Sequence, residues 1–241
     1  MLANTDKNDC VARRGYLGAK GASGVYQAII NLMPPHETYI EPFLGTGTIM
    51  LRKAQASINV GIDLSKKAID RFNSAAAQTH LNVKTLNCDA ISWLDSFKGA
   101  DENTLIYLDP PYVLSTRTSN ARYEHELTDE QHIKLLEIIK RIARQSGANV
   151  MISGYRNAIY NKALECWFSK DFQAMTRGGV RTETVWCSFQ PGEVHYHTFA
   201  GDDYKERQRI KRKAQRWANN FKAMNAGERQ AILAAILSID D

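Results

Sequence analysis

The chain has 241 residues, 44% hydrophobic and 24% charged. That is enough for one α/β domain with a small appendage and too few for two full enzymatic domains. No tract is long enough to span a bilayer, and residues 1–16 lack the apolar core of a secretory signal. The expectation is a protein without membrane association, in the cytoplasm of a bacterium or of a virus-infected bacterial cell. The net charge of +5 is unevenly placed: residues 204–222 carry eight Lys/Arg and one Glu, a local +7 that leaves −2 for the rest. Cys10, Cys88, Cys166 and Cys187 are too scattered for a disulfide framework or zinc site, and the histidines form no ligand motif, His195 and His197 included. No metal is expected.

A helix is predicted over 23–33, stopped by Pro34-Pro35. Near-continuous apolar strands follow at Thr38–Phe43, Ile58–Asp63, Val83–Leu86, Thr104–Asp109 and Ala148–Ser153, the type buried on both faces of a parallel sheet. Helical stretches at about 49–56, 65–79, 90–97 and 128–145 separate them, an alternation that indicates a doubly wound α/β domain. A helix near 157–168 leads to two further strands, about 170–175 and 182–190, the latter ended by Pro191-Gly192. Two helices close the chain. In the first, Ile210, Ala214, Trp217 and Phe221 form a narrow apolar stripe on a basic cylinder. The second opens on Asn225 and Glu228, a capping pattern, and its AILAAIL run is expected to supply a buried face. The chain divides into a catalytic domain, 1–195, and a basic helical extension, 196–241.

The most specific signal is Asp109-Pro110-Pro111-Tyr112, directly after the fourth strand. Open α/β sheets bind ligands at the carboxyl ends of their strands. Two prolines fix the backbone and remove its N–H groups, so the carbonyls only accept hydrogen bonds. A carboxylate followed by rigid acceptors suits a substrate amino group that donates two hydrogens, and the tyrosine ring offers a face for a base to stack on. An exocyclic amine is a poor nucleophile, because its lone pair is delocalised into the ring. Accepting both hydrogens at fixed positions favours a pyramidal nitrogen aimed at a methyl donor. A proline-stiffened turn explains Pro-Pro alone, but not the flanking Asp and Tyr.

The second signal is Glu41-Pro42-Phe43-Leu44-Gly45-Thr46-Gly47-Thr48, after the first strand. Its glycines allow a tight turn and close approach to a ligand, and without a Gly-Lys-Ser/Thr it is no phosphate-gripping loop. Asp63, at the end of the second strand, is placed to hold ribose hydroxyls. Asp89 follows the third strand, and it either accepts from an adenine amino group or caps the next helix.

Together these residues resemble the Dam-like DNA adenine-N6 methyltransferases, over about Arg14 to Phe189. The resemblance implies a seven-stranded, mostly parallel sheet of the S-adenosylmethionine-dependent methyltransferase type. It also implies that Asp109, Pro110, Pro111 and Tyr112 are catalytic. Glu41, Phe43, Gly45 and Gly47 would line the S-adenosylmethionine pocket, Asp63 would hold its ribose and Asp89 its adenine. Tyr16-Leu17-Gly18-Ala19-Lys20 is similar to the family's aromatic-x-Gly-Gly-Lys segment, with Ala19 in place of the second glycine, which brings Tyr16 and Lys20 to the cofactor. Residues 122–128 resemble the family's segment after DPPY, and residues 181–186 its late Glu-containing strand.

The family inserts a target-recognition domain between the glycine motif and DPPY, and this chain has no room for one. Sequence reading falls to the loop 113–127, the 176–182 segment or the basic helices. Arg117, Asn120 and Arg122 in the loop either read base edges or contact phosphates alone. Arg207, Lys211 and Arg212 of the basic helix are expected to contact DNA, with a solvated charged face as the alternative. The expected reaction is N6 methylation of an adenine flipped from double-stranded DNA, with short or relaxed specificity, inside or outside a restriction-modification system. RNA adenine-N6 and DNA cytosine-N4 methylation remain alternatives, the latter disfavoured by Asp109 where cytosine-directed relatives tend to have Ser or Thr. A protein-glutamine methyltransferase would more typically place Asn there. A non-catalytic nucleic-acid-binding protein with a methyltransferase shell is the rival from another class.

Overall fold

A computed structural model describes residues 24–113, 125–176, 179–192, 200–201 and 203–238. The chain forms two compact units, Met1–Tyr196 and His197–Asp241.

The first unit opens on a short helix, α1 (Val25–Ile30), which buries Val25, Ile29 and Ile30. Five strands follow in parallel: β1 (Thr38–Pro42), β2 (Ile58–Asp63), β3 (Lys84–Asn87), β4 (Thr104–Leu108) and β5 (Asn149–Gly154). Helices α2 (Thr48–Arg52), α3 (Lys66–Thr79), α4 (Ala90–Ser96) and α5 (Asp129–Ser146) connect them. After α6 (Ala158–Ala163), the hairpin of β6 (Phe168–Thr176) and β7 (Gly179–Cys187) completes a seven-stranded sheet of order β3-β2-β1-β4-β5-β7-β6. β7 lies antiparallel to both β5 and β6. This is the doubly wound, mostly parallel sheet that the alternation predicts.

The core sits where the apolar strands meet the helices. All five residues of β4 are buried, which is why that segment reads as an unbroken hydrophobic run. α5 shows how the sequence sets a boundary: Thr128 and Gln131 form a capping box, Asp129 and Glu130 favour the positive N-terminal end, and Gly147 adopts a left-handed conformation past the last turn. Its Leu135, Leu136, Ile139 and Ile142 are buried in the core, each burial contributing roughly 1.5–3 kcal/mol.

Three expectations are corrected. The helix expected over 49–56 ends at Arg52, because the chain must turn into β2. Asn59 stabilises that turn, its side chain donating to the Ala56 carbonyl at 2.9 Å and accepting from the Ala56 amide. The strand expected at about 182–190 starts earlier, since β7 opens at Gly179, and every described residue of the 176–182 segment lies in β6 or β7.

The third correction lies in the second unit. It contains α7 (Tyr204–Ala223) and α8 (Ala226–Leu237). The capping box of Asn225 and Glu228 forms, but no residue of α8 is buried, and Leu233, Ile236 and Leu237 are exposed. The AILAAIL run is apolar nearly all round, a pattern that ordinarily marks a buried helix, yet among the described residues it stays largely exposed.

Candidate active site

The parallel strands bring their carboxyl ends, and the residues that follow them, to one edge of the sheet. β1 ends on Glu41 and Pro42. The chain then turns through Phe43 (φ 60°), Gly45 (φ 52°) and Gly47 (φ 59°) into α2. Left-handed backbone is easy for glycine but costs Phe43 on the order of 1–3 kcal/mol, strain of a kind that collects at ligand sites. β2 holds the turn: the Leu44 amide donates to the Ile62 carbonyl at 2.9 Å, and the Gly45 amide to Asp63 Oδ2 at 2.7 Å. Asp63 Oδ1 accepts from the Ser65 amide at 2.8 Å. Asn87 donates to the Asp63 and Leu64 carbonyls, fixing the next turn.

Glu41 is buried, and its Oε2 accepts from the Tyr39 hydroxyl at 2.9 Å and the Met50 amide at 3.1 Å. Burial pushes its carboxyl up to about 8. Nearby negative charge on Asp109 adds to the rise, while the Tyr39 bond, the Met50 amide and Lys53 oppose it. Lys53, also buried, stacks its ammonium over the Tyr39 ring at 4.3 Å. Burial lowers its pKa to about 8, and Glu41 opposes the fall.

This pair predicts a pH signature. Folded protein keeps a proton on Glu41 at pH values where the unfolded chain, with the ordinary glutamate value of 4.5, has lost it. The stabilisation is complete below that value and is lost as pH rises to about 8, with a slope of at most about 1.4 kcal/mol per pH unit. Glu41→Gln preserves an acceptor for Tyr39 and Met50 but cannot titrate. Chemical denaturation at a series of pH values is expected to show wild type losing stability between pH 5 and 8, and the variant losing distinctly less.

Asp89 caps α4, its Oδ1 accepting from the Ser92 amide at 2.7 Å. That places the helix-capping alternative on the structure and leaves the second carboxylate oxygen to other partners.

Asp109 follows β4 at the same edge. Its Oδ1 accepts from the Ser153 hydroxyl at 2.9 Å. Pro110 is buried, and Asp109, Pro111 and Tyr112 are half-buried. The Tyr112 hydroxyl donates to Glu183 Oε1 on β7 at 3.0 Å, and its ring packs on Tyr155 with centroids 4.4 Å apart. Arg181 lies over the far ring of that pair, 5.6 Å from the Tyr155 centroid. Tyr112 is therefore held at both its ring and its hydroxyl.

Of the sequence-predicted residues, Glu41, Phe43, Gly45, Gly47, Asp63, Asp89, Asp109, Pro110, Pro111 and Tyr112 lie along this edge. Tyr16, Lys20, Arg117, Asn120 and Arg122 lie outside the described residues, as do His195 and His197. Arg207, Lys211 and Arg212 lie on α7, in the second unit. Arg207 reaches the Gly201 carbonyl at 3.3 Å and Arg212 the Gln208 carbonyl at 3.2 Å, while Lys211 is exposed. Sequence reasoning did not single out Ser153, Tyr155 or Lys53. Ser153-Gly154-Tyr155 ends an apolar parallel strand just as Asp109–Tyr112 follows one, and that shared placement is the signal that finds it. Among the described residues no helix is long and apolar enough to cross a membrane, and no three His, Cys, Asp or Glu side chains gather to hold a metal.

The family model of the D12 class N6 adenine-specific DNA methyltransferases matches residues 63–182, a span that includes Asp63, Asp89 and the whole Asp109–Tyr112 motif. The match supports that family and methyltransferase activity. The fold is that of the S-adenosylmethionine-dependent methyltransferases, and S-adenosylmethionine is the cofactor. The glycine turn and the Asp63 carboxylate fit that group, since they offer close backbone approach beside an acceptor for hydroxyls.

The chain is 25% identical over 146 residues to the ribosomal RNA large subunit methyltransferase K/L of Aliivibrio salmonicida, covering 59% of this chain and 19% of that protein. The Vibrio campbellii protein of the same name is 24% identical over 121 residues, or 48% of this chain and 16% of its own length. The chain thus spans about a fifth of the length of the curated relatives it matches. Among solved structures, TrmN from Thermus thermophilus aligns with a TM-score of 0.49 at 21% identity, covering 70% of this chain and 48% of that one.

Proposed function

We propose that this methyltransferase acts on N6 of adenine in DNA, with the target base swung out of the duplex. The observation that carries the reading is the anchored Asp109 carboxylate, followed by two prolines and a fixed tyrosine, at the carboxyl end of β4. S-adenosylmethionine supplies an electrophilic methyl group on a sulfonium sulfur. Asp109 and the Pro110 carbonyl accept the two amino hydrogens, which turns the nitrogen lone pair out of conjugation and toward the donor. Tyr112, backed by Tyr155 and tethered to Glu183, orients the base plane. Asp63 would hold the ribose hydroxyls of the cofactor and Asp89 its adenine, with the 43–47 turn offering its backbone for close approach. Glu41, mostly protonated below pH 8, stiffens that turn through the Met50 amide without adding a second full negative charge beside Asp109.

RNA is the second reading, favoured by the relatives whose names place them on ribosomal RNA. Incubating the protein with S-adenosylmethionine and unmethylated DNA or RNA, then analysing the nucleosides by mass spectrometry, separates the two. N6-methyladenine from DNA is the expected product. Product from RNA alone replaces the substrate, and N4-methylcytosine replaces the base.

In this reading α7 anchors phosphates. Its Arg and Lys side chains give affinity that is independent of sequence and falls steeply with salt. Deleting residues 204–241 is expected to weaken DNA binding by about tenfold or more at low salt, while S-adenosylmethionine affinity is retained. Titrations of both ligands check this, and unchanged DNA affinity removes α7 from the interface. With no inserted recognition domain, specificity is expected to be short or relaxed.

A further inference from the structure

Ser153 is fully buried near the end of β5, and its hydroxyl lies within hydrogen-bond distance of three oxygens on or next to β4. These are Tyr107 Oη at 3.0 Å, the Leu108 carbonyl at 3.3 Å and Asp109 Oδ1 at 2.9 Å. A serine hydroxyl has one hydrogen and two lone pairs. A carboxylate and a carbonyl can only accept. Tyr107, also fully buried, can donate. Among these four oxygens the arrangement that serves the charged carboxylate has the Tyr107 hydroxyl donating to Ser153 Oγ and Ser153 donating to Asp109 Oδ1. The shorter of the two acceptor distances is the one to Asp109, as expected for a bond to a charged acceptor.

We propose that Ser153 is a positioning residue for methyl transfer, and that the chain Tyr107–Ser153–Asp109 fixes the plane of the carboxylate that receives the substrate amine. The inference rests on the amino-group reading of the Asp109 site.

Its logic is geometric. The peptide bonds around Pro110 and Pro111 fix the backbone acceptors, but they leave the Asp109 side chain two rotatable bonds. An amine held by one fixed and one swivelling acceptor would not keep its lone pair aimed at the donor, and small misalignments are costly in such reactions. Ser153 sits on the neighbouring strand, with Leu108 paired to Ile152 in register, so the sheet itself sets its position. Tyr107 in turn orients the serine hydrogen away from itself. The Ser153 hydroxyl bonds Tyr107, Leu108 and Asp109, none of them placed around the cofactor, so its loss belongs in the chemical step.

The test is steady-state kinetics of full-length Ser153→Ala and Tyr107→Phe on adenine-containing DNA, with melting temperatures and S-adenosylmethionine titrations alongside. S153A is expected to lower kcat about 10- to 100-fold with KM for DNA and Kd for S-adenosylmethionine within about twofold of wild type. Y107F, which leaves the serine donor in place, is expected to lose about 2- to 5-fold in kcat. An S153A enzyme with unchanged kcat overturns the inference, as does a kcat loss matched by an equal loss of cofactor affinity, which would make Ser153 a packing residue. Wild-type protein that methylates no amino group overturns the proposed function, and this inference with it.

Discussion

Asp109→Ala is expected to abolish product formation, by about a thousandfold or more, while leaving S-adenosylmethionine affinity within a few-fold of wild type. Two effects combine in this loss. In the proposed reaction the acceptor for one amino hydrogen disappears, and the remaining carbonyl cannot hold a two-hydrogen donor in one orientation. Removing a single preorganised polar contact from a transition state costs about a hundred- to a thousandfold, and here orientation is lost as well. Cofactor affinity is spared because the glycine turn and Asp63 belong to β1 and β2, tied to each other rather than to Asp109. Folding is spared too: Asp109 is only half-buried, and Ser153, left without it, still has Tyr107 and the Leu108 carbonyl as partners. Asp109→Asn is the finer probe. It retains an acceptor oxygen, but the Ser153 donor competes with substrate for it, so residual activity between that of wild type and Ala is expected. Single-turnover methylation, measured with calorimetric titration of the cofactor, checks both variants. Weakened cofactor binding equal to the lost rate would place Asp109 in the wrong role.

Much of this arrangement is legible from residue order. Strand ends are easy to locate because parallel strands buried on both faces are nearly continuous apolar runs, and the residues just past them must share one edge of the sheet. That is how Glu41, Asp63, Asp89 and Asp109 come together from segments up to 68 positions apart without any pairwise signal. What residue order does not carry is the lateral neighbourhood. Tyr112 meets Glu183 and Tyr155 only because β7 inserts antiparallel between β5 and β6, and no periodicity announces that insertion. The strand end marks Ser153 as lying at the same sheet edge, but its bond to Asp109 emerges only when β4 is laid beside β5. The failure at α8 has a different cause. A helical run apolar nearly all round ordinarily marks a buried helix, so AILAAIL reads as core, yet Leu233, Ile236 and Leu237 stay exposed and nothing in the residue order announces it. In α2, helix propensity extends through Ala54 and Gln55, but the connection to β2 leaves no length for another turn.

Gly47→Val is expected to cost both stability and cofactor binding, the second largest effect foreseen. Its backbone adopts φ +59°, where a β-branched residue is strongly disfavoured. A Cβ there would also lie 2.2 Å from Phe72 Cδ2 and 2.3 Å from Cε2. Phe72 is a fully buried ring of α3, so it cannot swing into solvent to make room. Left-handed strain adds roughly 1–2 kcal/mol and forced repacking about 1–3 kcal/mol, so a fall in Tm of roughly 10 °C is expected. The turn must shift outward to relieve the clash. It cannot do so without loosening the Gly45–Asp63 bond that locks it to β2, which moves the backbone and the Asp63 carboxylate together. S-adenosylmethionine affinity is therefore expected to fall by at least about tenfold, a loss of 1.4 kcal/mol or more. Gly47→Ala carries the same φ and the same Cβ, so it should show a milder form of both losses. Phe72→Leu in the Ala background separates the causes: a shorter side chain relieves the ring contact but not the backbone strain. Recovery of Tm in that double variant assigns the cost to packing; no recovery assigns it to the left-handed turn.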